Sequence, residues 1–199
     1  MSTLNGQPVL IDNFVARDGS RLLIKQAALV VLGVLAIAMA AQIRVPMWPV
    51  PVTMQTFAVL TVGAAFGARL GLVTLVAYLA LGALGAGVFT GDTAGLAYMT
   101  GPTGGYLVGF AVAAWAVGAL AQRGWSQSVA GMIGALLIGN AVIYAFGLPW
   151  MAYLFVAERG AEWVMQWGMT NFLVGDALKL MMAALLIPGL WKLVGTARH

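Results

Sequence analysis

The stretch that decides the fold is NFLVGDALKLMM, Asn171 to Met182, which opens the last strongly apolar segment of the chain. It places an acid and a base, Asp176 and Lys179, in surroundings where almost nothing else is charged. Their spacing of three residues puts both side chains on one face of a helix. The chain as a whole is 62% hydrophobic and 8% charged over 199 residues, with a mean hydropathy of +0.95. Soluble domains carry roughly 25% charged residues, so this composition cannot cover a water-exposed surface. An ionisable pair inside a membrane is costly, which makes it a functional-site hypothesis by default. The alternative is a structural pair within one helix.

Working outward, the long apolar runs exclude a β-barrel, whose strands alternate apolar and polar. They predict an all-α polytopic membrane protein with six transmembrane helices at about 22–43, 54–66, 70–85, 104–122, 128–146 and 171–190. These form a single membrane domain over 22–195, between an N-terminal tail 1–21 and a C-terminal tail 196–199. Three irregular stretches interrupt the helices. RVPMWPVPVTMQTF, Arg44 to Phe57, holds Pro46, Pro49 and Pro51 and reads as a stiff extended connector. The stretch Gly85 to Tyr106 is glycine-rich but lacks the Lys-Ser/Thr ending of a phosphate loop. The connector Gly147 to Thr170 carries Trp150, Tyr153, Trp163 and Trp167 and reads as an interfacial segment with aromatic anchors.

The net charge of +4 reflects topology, with no basic face for nucleic acid. With six spans, one side holds Arg17, Arg21, Lys25, Arg69, Arg123, Lys192 and Arg198, and the other only Arg44 and Arg159. That bias predicts cytoplasmic termini, with the three long loops outside. Asp176 then lies roughly 9 Å below the outer start of the last helix. Among other polar candidates, Thr53 and Gln55 enter the second helix, and Asn140 suits an interhelical hydrogen bond or a ligand. Ala36 and Ala40, four apart with Gly33 before them, suit close helix packing, within the bundle or against a partner. The chain has no cysteine, and its one histidine is the terminal His199, so neither a metal site, thiol chemistry nor histidine-based catalysis is expected.

Four motifs in order, VPVTMQT (50–56), YLALGALGAGVF (78–89), GPTGGYLVGF (101–110) and GDALK (175–179), resemble the BioY family. These are the biotin-specific substrate-capture subunits (S components) of energy-coupling factor (ECF) transporters. The resemblance implies the six-helix S-component fold and a multi-pass place in the bacterial inner membrane. It implies uptake of external biotin through an outer-half pocket, without enzyme activity or cofactor. Its partners would be a transmembrane coupling subunit and two cytoplasmic ATPases, with Ala36 and Ala40 on the docking face. A solitary oligomeric biotin transporter and an S component for another vitamin are the alternatives. In the implied pocket, Asp176 accepts the ureido N–H groups of biotin and Lys179 donates to it. Gln55, Thr53 and Asn140 complete the polar set, and Tyr98, Phe89 and Tyr106 wall the ring. Where some relatives carry a basic residue this chain has Pro102 and Thr103. Carboxylate recognition then falls to Lys179, Arg44 or backbone N–H groups.

Overall fold

A computed structural model describes residues 9–13 and 19–196, with side chains described at 9–11 and 22–193. The charges at Arg17, Arg21 and Arg198 therefore lie outside the described side chains. The main elements are α1 (Gly19–Gln42), β1 (Arg44–Val45), β2 (Val52–Thr53), α2 (Gln55–Ala83), α3 (Gly95–Met99), α4 (Gly104–Ala121), α5 (Val129–Arg159), α6 (Ala161–Gly168) and α7 (Leu173–Thr196). Five stretches are long and apolar enough to cross a membrane: Leu22–Gln42, Gln55–Ala83, Gly104–Ala121, Val129–Arg159 and Ala161–Leu193. The chain is a multi-pass membrane protein.

One of these five is folded on itself. Gly67 inside α2 has φ 80° and ψ 174°, a conformation open essentially to glycine alone. Beyond it the chain reverses, so that Gln55 Nε2 donates to Tyr78 Oη at 2.6 Å. In a straight helix that separation in sequence would hold them roughly 35 Å apart. α2 is therefore a helical hairpin with antiparallel arms 55–66 and 68–83, its turn at Gly67 inside the gap expected between residues 66 and 70. The first arm rises only about 18 Å, well short of a hydrocarbon core of about 30 Å. The connector before it forms a small ribbon, with β1 and β2 antiparallel and Arg44 opposite Thr53.

α4 is the central helix, packed between α2 and α5. Its glycines allow backbone-to-backbone contact. A Cβ at Gly105 would lie 2.5 Å from the Phe146 carbonyl oxygen, and one at Gly109 would lie 3.0 Å from Ile143 Cα. α5 departs from the expected end near 146: it runs through Pro149 to Arg159, followed by α6. A proline inside a helix ordinarily costs about 3 kcal/mol. Here the buried stripe Ala135, Gly139, Ile143, Gly147, Met151 continues past it at helical spacing, and the proline ring faces outward. Burial against α4 keeps the helix intact, so 147–159 continues α5 and 161–168 forms the short helix α6.

α1 stands at the edge of the bundle. Val31, Leu32, Leu35 and Met39 are exposed along one side, as expected of a lipid-facing or partner-facing surface. Gly33 and Ala40 point inward: a Cβ at Gly33 would lie 2.7 Å from Thr74 Cγ2, and Ala40 belongs to the buried core. Ala36 is half-buried at the rim of the exposed side. The stripe is thus divided, with Ala40 used for packing within the chain and Ala36 left at the edge.

Candidate substrate-binding site

α7 carries a buried stripe, Asp176, Lys179, Ala183 and Ile187, continued by Phe172 just before it, while Val174, Leu178, Met181 and Leu185 on its other side are exposed. The stripe points the charged pair into the bundle. Because the regular helix begins at Leu173, after a short 3-10 turn over Thr170–Phe172, Asp176 lies about one turn from the helix start. That is roughly 5 Å, nearer the end of the helix than the roughly 9 Å expected.

Lys179 Nζ donates to Asp176 Oδ1 at 2.8 Å and to Thr56 Oγ1 at 2.9 Å. Tyr144 Oη donates to Asp176 Oδ2. Four residues on α2, α5 and α7 are so joined that each charge is held from two sides, which is what a buried ion pair requires to avoid a net cost. The network is not saturated. An ammonium has three N–H donors and a carboxylate about four acceptor positions. Among the described residues Lys179 uses two donors and Asp176 two acceptor positions. One donor on Lys179 and about two acceptor positions on Asp176 are left.

The pair lies at the floor of a cleft with about 530 Å³ of atom-free space, its open mouth included. Leu107, Phe110, Ile143 and Phe172 make the walls apolar, and Thr53, Gln55, Tyr98 and Tyr106 line it as the sequence suggests. Gln55 is fixed rather than free. Its Nε2 is committed to Tyr78 Oη, whose own hydroxyl donates to the Val88 carbonyl at 3.0 Å. Thr53 Oγ1 accepts from the Gln55 backbone N–H at 3.2 Å. Tyr106 is anchored through its hydroxyl to the Gly168 carbonyl at 2.7 Å, so it offers a ring face.

Two anticipated residues lie elsewhere. Phe89 does not line the cleft; it is buried behind it, stacked on Tyr98 with ring centroids 4.8 Å apart, and so backs the wall. Asn140 lines a smaller hollow of about 200 Å³ behind the pair, with Thr56, Asp176 and Lys179. Among the described residues its side chain makes no hydrogen bond to another helix. Residues beyond those anticipated also line the cleft: Thr56, Tyr144, Thr90 and Thr103. Tyr144 carries a faint signal in the sequence, standing one turn after Asn140 in an otherwise apolar helix.

The mouth is built from the irregular stretches. Thr90 Oγ1 donates to the Ala41 carbonyl at 2.6 Å and Gln42 Nε2 to the Phe89 carbonyl at 2.9 Å, pinning the 86–93 stretch to the end of α1. Burial raises the Tyr98 hydroxyl above its ordinary pKa, partly offset by hydrogen bonding to Thr103 and by the charge of Arg44. Trp48 packs edge-on to Phe155, with centroids 5.9 Å apart, and Arg159 lies 5.6 Å from the Trp48 ring. No group of His, Cys, Asp and Glu that could hold a metal occurs among the described residues.

The model of the BioY family matches residues 12–196. The probable biotin transporter BioY of Pyrococcus horikoshii is 36% identical over 162 residues, 81% of this chain and 93% of that protein. The biotin transporter BioY of Thermotoga maritima is 35% identical over 157 residues, 79% of this chain and 90% of that protein. Among solved structures, the S-component for biotin from an ECF-type ABC transporter superposes with a TM-score of 0.73 at 22% identity, covering 88% of this chain and 95% of that one. That likeness establishes a shared fold, and the sequence matches establish kinship. A chain with this architecture, matched by the family model over nearly its whole described length, belongs to the BioY family.

Proposed function

We propose that this chain captures biotin in the Asp176–Lys179 cleft and takes part in its uptake across the inner membrane of a bacterium. The observation that carries the reading is the unsaturated pair at the floor of an apolar cleft. A cyclic urea offers N–H donors beside a carbonyl acceptor, matching one open acceptor position on Asp176 and one free N–H on Lys179. The fused sulfur ring is apolar and suits walls made by Tyr106, Phe110 and Ile143. Few placed polar groups in a mostly apolar pocket is the usual design of a small-molecule site. The names borne by its relatives agree.

The cleft opens at the end where Arg44 and Arg159 lie, whereas Lys25, Arg69, Arg123 and Lys192 belong to the opposite end of the bundle. The excess of positive charge supports reading the latter as cytoplasmic and the cleft as extracytoplasmic. With no Walker motif in the chain, energy for transport comes from elsewhere, namely a transmembrane coupling subunit with two cytoplasmic ATPases. The exposed side of α1 bordered by Ala36 is the docking surface in this reading.

Calorimetry on the purified chain in detergent tests the ligand, with desthiobiotin and riboflavin as comparisons. Tight one-site biotin binding with no heat from riboflavin is the expected result. Folded protein that ignores biotin would overturn the reading and leave the fold intact.

A further inference from the structure

The cleft does not end at its mouth. A second hollow of about 840 Å³, its open side included, continues outward and shares Pro51, Thr90, Tyr98 and Thr103 with the inner one. One cation lines it, Arg44. Three observations place that guanidinium at the junction. Arg44 is directly across the ribbon from Thr53, which lines the inner cleft, so their side chains share a face. Its Nη1 lies 2.8 Å from where a Cβ on Gly91 would be, a site with φ +85° and no side chain, so it rests over bare backbone. Its charge acts on Tyr98, which lines both hollows.

The other cations near the cleft are engaged. Lys179 is paired with Asp176, and Arg159 sits 5.6 Å and 5.7 Å from the rings of Trp48 and Trp163. Among the described residues the Arg44 side chain has no ion pair, although Asp92 lines the same hollow. Pro102 and Thr103, also lining it, bring no charge.

Resting on the biotin reading above, we infer that Arg44 is the specificity-determining residue for the anionic end of the substrate, holding a carboxylate in the outer hollow while the urea end sits on Asp176 and Lys179. The site is then a two-ended recognition device, with a neutral polar head read at the floor and a charge read at the mouth. Arg44 comes from the proline-rich connector, so the carboxylate also ties that connector over the bound molecule.

The experiment compares biotin with biotin methyl ester by calorimetry on the full chain, unmodified and as Arg44→Gln, Arg44→Lys and Asp92→Asn. The unmodified chain should prefer biotin over the ester by about tenfold, the scale of a charge-assisted hydrogen bond. Arg44→Gln should abolish that preference by weakening biotin alone, with the ester bound as before. Arg44→Lys should keep part of it, and Asp92→Asn should leave or enlarge it. If Arg44→Gln weakens both ligands equally, Arg44 shapes the loop and reads no charge. If the preference survives in Arg44→Gln, the carboxylate is read elsewhere. Either result overturns the inference while biotin binding stands, whereas failure of the unmodified chain to bind either ligand overturns the biotin reading itself.

Discussion

At the scale of single residues, the site depends on a buried ion pair whose partners are unequal in sequence distance. Lys179 and Asp176 are three apart, but Thr56 is 123 residues from Lys179 and Tyr144 is 32 from Asp176. Removing one member of such a pair strands the other, at about 3–5 kcal/mol, whereas removing both can be nearly neutral. Lys179→Met should therefore lower unfolding stability in detergent by about 3 kcal/mol, and Asp176→Asn combined with Lys179→Met should recover most of it. A loss in the double variant equal to the sum of the two single losses would show that the pair is not coupled. Asp176→Asn alone keeps the shape of the site and loses the anion. It is expected to weaken biotin binding more than tenfold in protein that still folds, the loss expected of a charged hydrogen bond; normal affinity would remove Asp176 from the site.

At the scale of elements, the surfaces of α1 separate two uses of small residues. Ala40 is buried in the bundle and Ala36 lies at the rim of an exposed apolar side. Ala40→Leu forces extra volume into a packed interior, at about 1–3 kcal/mol, and should lower the melting temperature measured in detergent. Ala36→Leu should leave both melting and biotin binding unchanged and reduce uptake in cells that carry the coupling subunits. Full uptake by that variant would place the docking surface elsewhere. The sequence cannot tell these two alanines apart, since both satisfy the same four-residue spacing. Which one faces inward depends on how α1 leans on Thr74 and Phe66 of α2. Likewise the proline in α5 suggests a break by local preference, and the break is absent because tertiary burial on α4 outweighs it.

For the whole molecule, the sense of insertion can be read chemically, because the chain contains no cysteine of its own. Thr93 is exposed at the end that holds the cleft, and Gln127 is exposed at the opposite end, beside the Ser126–Trp191 hydrogen bond that ties it to α7. A cysteine placed at Thr93 should react with a membrane-impermeant maleimide in intact cells, and one at Gln127 should react only after the membrane is opened. The reverse pattern would turn the cleft toward the cytoplasm and exclude capture from outside.

Composition alone settled that the chain lives in a membrane, because 8% charged residues cannot coat a water-facing surface. Helical spacing alone placed Asp176 and Lys179 on one face, because side-chain direction within a helix is set locally. The partners of that pair, the reversal at Gly67 that brings Gln55 onto Tyr78, and the ribbon that sets Arg44 across from Thr53 were decided only by the tertiary structure. Each joins residues whose separation along the chain carries no information about their separation in space. Helix packing against α4 and the pairing of β1 with β2 bring them together.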